Sequence, residues 1–217
     1  RICMYLPGTE GLDSSRTVLT GNPVRAAVVA LAGRQHDFSG KRLLVMGGSL
    51  GAHALNVHVC RHLDALRAAG IEVRHQTGVR DEAVTREAYA AAGYDPACVS
   101  AFIDDMASAY AWADLVLCRA GATTVAELCA AGLPSVLVPF PYAVHDHQTR
   151  NAQALVAEGA ALMLPEARME SDGLMAQVTD LLQDTGRLRT MAAAASGCAR
   201  VRAAELVAAE LETVCAR

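Results

Sequence analysis

From about residue 41 onward, short apolar runs alternate with segments that have apolar residues at helical spacing. Apolar runs of this length predict buried strands, and the periodic segments between them predict helices. The predicted strands cover residues 41–46, 71–76, 98–103, 114–118, 134–139 and 161–164. Strands that alternate with helices in this way predict right-handed βαβ units and a Rossmann-like, doubly wound parallel sheet of the α/β class.

The predicted helices cover residues 52–69, 81–92, 105–113, 125–131 and 147–158, and two or more further helices fill residues 171–216. Asp104 is expected to cap the third of these helices, and Gly132 and Gly159 are expected to end the fourth and fifth. Residues 1–40 are less regular, with turn signals at Pro7-Gly8 and at Gly21-Asn22-Pro23.

The composition argues against several classes of protein. The chain has 23 acidic residues against 19 Lys and Arg, a net charge of −4, so it lacks the basic excess that a nucleic-acid partner requires. The longest stretches without charge, residues 43–60 and 128–144, are interrupted by glycine or proline, which argues against a transmembrane helix. The seven cysteines are odd in number and form no CxxC pair, which predicts reduced thiols that serve as small core residues.

The first of three loops that suit a ligand is Gly47–Ala52, with the sequence GGSLGA. Ligands of open parallel sheets bind where the strands end, and glycines before a helix let the backbone approach a phosphate. Tight turns without any ligand use glycine as well, so both interpretations stay open. The loop is not a GxGxxG, and the next strand ends in His75-Gln76-Thr77 without the acid that holds an NAD ribose, so a dinucleotide is not expected.

The second loop, Arg119–Thr124, leads into a helix that carries Glu127. Thr124 and Glu127 have the spacing of a capping box, in which the glutamate bonds back to the backbone of the capping residue. Alternatively, the loop amides bind phosphate while the Glu127 carboxylate accepts hydrogen bonds from ribose hydroxyls. The residues alone do not decide between these two roles.

The third loop, residues 139–148, is long and polar at its far end, which suits the recognition of sugar hydroxyls. It contains His145 and His147, but no cysteine or carboxylate cluster stands at ligand spacing, so no metal is expected. His58 and His62 are four residues apart on a predicted helix and are expected on a solvated face.

Taken together, these motifs resemble the MurG family of bacterial glycosyltransferases, which add N-acetylglucosamine to lipid I. The matching pieces are TGNPVR at residues 20–25, the GGSLGA loop followed by Asn56, and the long segment 102–152. They occur in the family's order, and the resemblance covers roughly residues 18–190. This part corresponds to the family's carboxyl-terminal, donor-binding domain, while the final helices are similar only in a general way.

The resemblance implies one domain of a two-domain glycosyltransferase of the GT-B fold. Residues 1–24 would be the tail of an amino-terminal acceptor domain plus a linker, residues 25–190 the donor-binding domain for UDP-N-acetylglucosamine (UDP-GlcNAc), and residues 191–217 the carboxyl-terminal helices. The general base, the lipid I pocket and a membrane-facing patch would lie in the amino-terminal domain. No catalytic residue is therefore expected in this chain.

The resemblance also implies roles for individual residues. Arg25 and Ser49, with Gly48 as a further candidate, would contact the donor diphosphate, and the backbone of Ile103 would meet uracil. Glu127 would hold the ribose, and Gln148, with His147 as a further candidate, would bind the sugar hydroxyls. The amides that would hold phosphate belong to the run that leads to Glu127, namely Ala122, Thr123, Thr124, Val125 and Ala126. The first serine of the family's RSGA motif is replaced here by Ala120.

The implied activity is the inverting transfer of N-acetylglucosamine from UDP-GlcNAc to lipid I, giving lipid II for peptidoglycan synthesis at the cytoplasmic face of the bacterial inner membrane. No metal or other cofactor is expected, because Arg25 and helix-end amides would stabilise the leaving diphosphate. Three alternatives stay open: a stand-alone donor subunit of a two-chain sugar transferase, a UDP-sugar epimerase, and a nucleotide-sensing module without catalysis.

Overall fold

A computed structural model describes residues 2–5, 14–48 and 51–215 of the chain. Two short strands near its start, β1 (Ile2–Met4) and β2 (Thr17–Leu19), pair in parallel as a small separate sheet that the sequence did not predict. The six predicted strands form the main sheet. They are β3 (Arg42–Met46), β4 (Glu72–Gln76), β5 (Val99–Ser100), β6 (Leu115–Cys118), β7 (Ser135–Leu137) and β8 (Ala161–Met163).

The main sheet is parallel throughout, with the strand order β5-β4-β3-β6-β7-β8. The chain builds outward from β3 to β5, then returns to add β6 on the other side of β3. The ends of β3 and β6 therefore adjoin, with Met46 opposite Cys118. This reversal of strand order is the topological switch point at which such folds bind ligands, and it confirms the doubly wound sheet that the sequence predicted.

Ten α-helices are found among the described residues. They are α1 (Ala26–Val29), α2 (His53–Arg61), α3 (Leu63–Ala68), α4 (Glu82–Ala91), α5 (Met106–Trp112), α6 (Ala122–Ala131), α7 (His147–Ala157), α8 (Leu174–Gln183), α9 (Thr185–Gly197) and α10 (Ala203–Cys215). Among these residues, no helix is both long and apolar enough to cross a bilayer.

Several boundaries differ from the prediction. The helix predicted over residues 52–69 is broken at His62, where the backbone is not helical. The cap of α5 is Asp105 and not Asp104, because the Asp105 carboxylate accepts a hydrogen bond of 2.9 Å from the Ser108 amide. The strand predicted over 98–103 pairs with β4 only at Val99 and Ser100.

Both faces of the sheet are covered by helices. Side chains alternate along β3, so that Leu43 and Val45 pack on one face while Leu44 and Met46 pack on the other. Helices α2, α3, α4 and α8 cover the first face, and α1, α5, α6 and α7 cover the second. Because helices cover both faces, the strand ends are the part of the sheet that a ligand can approach.

Of the seven cysteines, Cys118 and Cys129 are buried but Cys3 and Cys215 are exposed, so the expectation of core thiols is wrong for these last two.

Candidate functional site

A cavity of about 300 Å³ opens at the switch point, where β3, β4 and β6 end. Five of the residues that the sequence assigned to a ligand line this cavity: Arg25, Gly48, Ile103, Thr124 and Glu127. The other lining residues are Met46, Gln76, Phe102, Met106, Tyr110, Cys118 and Arg119. The fold therefore brings together, in one place, residues from four separate predicted segments.

The Glu127 carboxylate accepts three hydrogen bonds from neighbouring side chains of the cavity. Arg25 donates to its Oε1 atom from both Nε and Nη2, at 3.1 and 2.8 Å, and the Tyr110 hydroxyl donates to its Oε2 atom at 2.9 Å. Burial, and then the neighbouring Glu127, raise the pKa of Tyr110 well above its usual value, so that the phenol stays protonated and remains a donor. Glu127 is buried, whereas the Arg25 side chain is 56% exposed and can move.

The capping-box interpretation of Glu127 is wrong. Helix α6 begins at Ala122, with Gly121 in an extended conformation as its N-cap, so Thr124 lies inside the first turn and not before it. Since the helix starts three residues earlier than the prediction, Glu127 reaches the second turn, where it bonds to Arg25 and Tyr110.

The start of α6 presents a smaller set of amides than the sequence implied. The Val125 N–H donates to the Gly121 carbonyl at 2.9 Å, and the amides of Ala126 and Glu127 follow it in the helical ladder. Val125 is also fully buried. The first-turn amides of Ala122, Thr123 and Thr124 lack a helical acceptor and suit an anion, whereas those of Val125 and Ala126 are bonded within the helix.

The turn that precedes Arg25 is tied to this helix start. The Asn22 side-chain amide donates to the Thr123 hydroxyl at 3.3 Å. This contact, together with the Arg25–Glu127 ion pair, places the TGNPVR segment beside the free amides of α6.

The loop after β3 is held by the side chain of Gln76, a residue at the end of β4 for which the sequence predicted no role. The Gly48 N–H donates to Gln76 Oε1, and Gln76 Nε2 donates to the carbonyls of Gly48 and Ala101, at 3.1, 3.1 and 2.8 Å. The Gly48 amide is therefore not available to a phosphate. Ser49, the implied diphosphate contact, lies outside the described residues.

Gln148 and His147, assigned to the sugar hydroxyls, do not line the cavity. Gln148 Oε1 accepts a hydrogen bond of 2.9 Å from the Phe140 amide, and His147 Nδ1 donates to the Val144 carbonyl at 2.8 Å. Both contacts close the third loop on itself. The structure thus brings residues implied for the nucleotide to one cavity, and the two residues implied for the sugar lie outside that cavity.

Arg119 is a further residue of the cavity to which the sequence analysis gave no role. Its guanidinium donates to the carbonyls of Val138 and Pro139, at 3.1 and 3.2 Å, and it pairs with Glu166. It therefore joins the loops that follow β6, β7 and β8. An arginine directly after a buried strand was the only signal that the sequence offered.

Ala120, which replaces the first serine of the family's RSGA motif, lies in the core. Ala120 is fully buried, and its carbonyl accepts a 3.0 Å hydrogen bond from the Asn151 side chain. Burial raises the pKa of the neighbouring Cys118 thiol to about 12, so this cavity residue is uncharged. Among the described residues, two arginines and one glutamate are the charged side chains that line the cavity.

One expectation outside the cavity is wrong. His58 was assigned to a solvated helix face, but it is only 5% exposed. The segment before α8 covers this end of α2, and Glu170 Oε2 in that segment lies 3.4 Å from His58 Nδ1.

Comparisons with known proteins agree with this architecture. Residues 42–207 match the family described as "Glycosyltransferase family 28 C-terminal domain". A relative from Nitratidesulfovibrio vulgaris strain DP4, named "UDP-N-acetylglucosamine--N-acetylmuramyl-(pentapeptide) pyrophosphoryl-undecaprenol N-acetylglucosamine transferase", is 52% identical over 211 residues, which cover 95% of this chain and 58% of that protein. A relative of the same name from Lawsonia intracellularis is 47% identical over 216 residues, 97% of this chain and 60% of its own length.

The crystal structure of Acinetobacter baumannii MurG superposes with a TM-score of 0.77 at 35% identity, covering 97% of this chain and 60% of that one. The chain thus spans 58–60% of the length of these relatives. The resemblance to the MurG family and the expected GT-B-type α/β fold are both confirmed. On the matched residues and the shared fold, the chain belongs to glycosyltransferase family 28, as a carboxyl-terminal domain of that family.

Proposed function

We propose that this chain is the donor-binding half of a transferase that moves N-acetylglucosamine from UDP-GlcNAc to lipid I and so forms lipid II in peptidoglycan synthesis. The observation that carries the proposal is the meeting of Arg25, Thr124 in the first turn of α6, and the Glu127 carboxylate at one cavity. The names of relatives at 47–52% identity support the choice of donor and acceptor. They also favour transfer over epimerisation.

Different groups in the cavity suit different parts of a nucleoside diphosphate. The free amides at the positive end of the α6 dipole suit the phosphates. A buried carboxylate suits the two ribose hydroxyls, because an ionised carboxylate only accepts hydrogen bonds. Ile103, on the wall of the cavity, suits the base.

Donor binding requires at least part of the Arg25–Glu127 contact to open. A carboxylate offers about four acceptor positions, and Arg25 and Tyr110 together occupy three of those on Glu127. Two ribose hydroxyls need two positions and only one is free, so at least one of the two Arg25 hydrogen bonds to Oε1 has to break. The exposed Arg25 guanidinium can then turn to the diphosphate, where a bidentate contact is favourable. In this step Glu127 exchanges one partner for another and is never left unpaired.

Arg25 and the α6 amides would then neutralise the charge that develops on the leaving UDP. We assign the general base, the lipid I pocket and the contact with the cytoplasmic face of the inner membrane to the part of the relatives that this chain does not span. In this division, residues 1–24 belong to the junction between the halves, residues 25–190 bind the donor, and residues 191–217 are the terminal helices.

Calorimetric titration of the chain with UDP, UDP-GlcNAc and NAD tests the proposal. We expect both uridine nucleotides to bind at one site per chain, and NAD to bind more weakly than either. Tighter binding of NAD than of UDP would contradict the nucleotide-sugar site. Conversion of UDP-GlcNAc to an epimer or to free sugar by the chain alone would favour an epimerase.

A further inference from the structure

Two imidazoles and a carboxylate meet where α2 approaches the segment before α8. His58 lies near the end of α2, His62 directly follows that helix one turn later, and Glu170 precedes α8. One potential ligand atom of each residue lies within 4.8 Å of the other two. None of the three lines the cavity at the switch point.

The spacing of the three groups suits a small divalent ion. Zinc binds imidazole nitrogen and carboxylate oxygen at about 2.0–2.2 Å, which places the ligands of a tetrahedral site about 3.3–3.6 Å from one another. His58 Nδ1 and Glu170 Oε2 are 3.4 Å apart, and the two imidazole rings have their centroids 4.6 Å apart. Glu170 is 74% exposed, so its side chain can adjust without disturbing the core.

The hydrogen bond made by His62 also favours a role as a metal ligand. His62 Nδ1 lies 2.8 Å from the His58 carbonyl, which can only accept, so Nδ1 carries the proton and Nε2 keeps its lone pair. This arrangement is typical of imidazoles that bind metal. His58 is buried, and within the described part of the chain its Nε2 atom has no hydrogen-bond partner. Nδ1 is the His58 nitrogen that lies 3.4 Å from Glu170 Oε2, so Nδ1 is the atom that would bind the ion, with the proton of the ring on Nε2.

We propose that His58, His62 and Glu170 form a zinc site, with water as the fourth ligand. Two imidazoles and one carboxylate favour zinc over magnesium, which prefers oxygen ligands. The three residues line a separate cavity of about 360 Å³, which has room for that water. The bound ion joins α2 to the segment before α8, and the proposal does not depend on the function proposed above.

Titration of the metal-free full chain with Zn²⁺, Mg²⁺ and Co²⁺ tests this site. We expect one Zn²⁺ per chain by calorimetry, a higher melting temperature with Zn²⁺ but not with Mg²⁺, and visible Co²⁺ absorption without a thiolate charge-transfer band. Glu170→Gln and His62→Gln should each weaken Zn²⁺ binding about tenfold or more. The matched controls Glu158→Gln and His145→Asn change exposed residues outside the cluster and should bind as the unchanged chain does.

Three results would overturn the proposal. These are the absence of a one-to-one zinc complex, a thiolate band that places the metal on cysteines, and equal zinc affinity in the cluster variants and their controls. His58→Gln is not needed for the test, because its buried position makes its folding uncertain, whereas Glu170 is exposed. Circular dichroism of each variant confirms that a loss of binding does not reflect unfolding.

Discussion

At the level of single residues, Glu127 holds the cavity together. It joins Arg25, which precedes α1, to Tyr110 on α5, and its own helix supplies the free amides beside them. A neutral side chain of the same shape keeps most of this packing but loses the charge. Replacing Glu127 by glutamine therefore separates its contribution to stability from its contribution to ligand binding.

Glu127→Gln should weaken UDP binding about tenfold or more, because hydrogen bonds to a charged acceptor are worth about 1.5–3 kcal/mol each. The free energy of unfolding should fall by only about 1 kcal/mol, since the lost pair involves a half-exposed arginine. Calorimetry and urea denaturation measure the two effects, with Glu158→Gln as the control. Unchanged UDP affinity beside a lower melting temperature would leave Glu127 with a structural role alone.

Arg25→Lys should weaken UDP-GlcNAc much more than uridine. A lysine keeps the charge but cannot make a bidentate contact with the diphosphate, and uridine has no phosphate to lose. Competition binding with both ligands measures the ratio. If both ligands weaken equally, Arg25 acts only by holding the TGNPVR turn against Glu127.

At the level of elements, the connection between β3 and α2 is fixed by contacts with the end of β4. Asn56 of α2 donates to the Thr77 carbonyl at 3.0 Å, and a Cβ atom added to Gly51 would lie 2.5 Å from that same carbonyl oxygen. Gln76 adds its three hydrogen bonds to Gly48 and Ala101. Gly51 therefore serves close packing, whatever it does for a ligand.

Gly51→Ala should therefore cost more stability than Gly159→Ala. Both glycines have a φ of +74°, but a Cβ atom at Gly159 meets nothing within 4 Å. The two variants share the cost of left-handed backbone, and the additional clash at Gly51 should lower the free energy of unfolding by about 1–3 kcal/mol more. Urea denaturation measures the difference. Equal losses would mean that the loop relaxes away from Thr77 at little cost.

At the level of the whole molecule, the chain carries the proposed donor site but spans only 58% of its Nitratidesulfovibrio relative. Transfer to an acceptor needs a hydroxyl held about 3–3.5 Å from the anomeric carbon and a base within hydrogen-bond reach. Among the residues that line the cavity at the switch point there is no histidine, and Glu127 is already engaged.

We therefore expect the chain to bind UDP-GlcNAc yet to transfer no sugar above background to a soluble lipid I analogue. Adding the amino-terminal part of a full-length relative, covalently or as a separate chain, should restore turnover. A radiolabelled sugar-transfer assay measures both. Efficient transfer by the chain alone that is abolished by His147→Ala would place the base in the third loop of this chain.

The sequence by itself determined the sheet, its six strands and the loops that meet at the ligand-binding edge. These features follow from the local pattern, because strands of a parallel sheet that is covered on both faces are short continuous apolar runs, while helices place apolar residues about every 3.6 positions. The family motifs, such as TGNPVR, are likewise legible in the chain without its fold.

Only the tertiary structure decided which polar groups pair. Arg25 and Glu127 are 102 positions apart, and their contact exists because β6 returns beside β3 and places α6 against the segment before α1. The same reason explains why the capping box predicted for Thr124 and Glu127 does not form, since the start of a helix depends on where the preceding strand ends in the sheet. It also explains why His58 is not solvated as predicted, because the segment before α8 folds over this position of α2 and buries it.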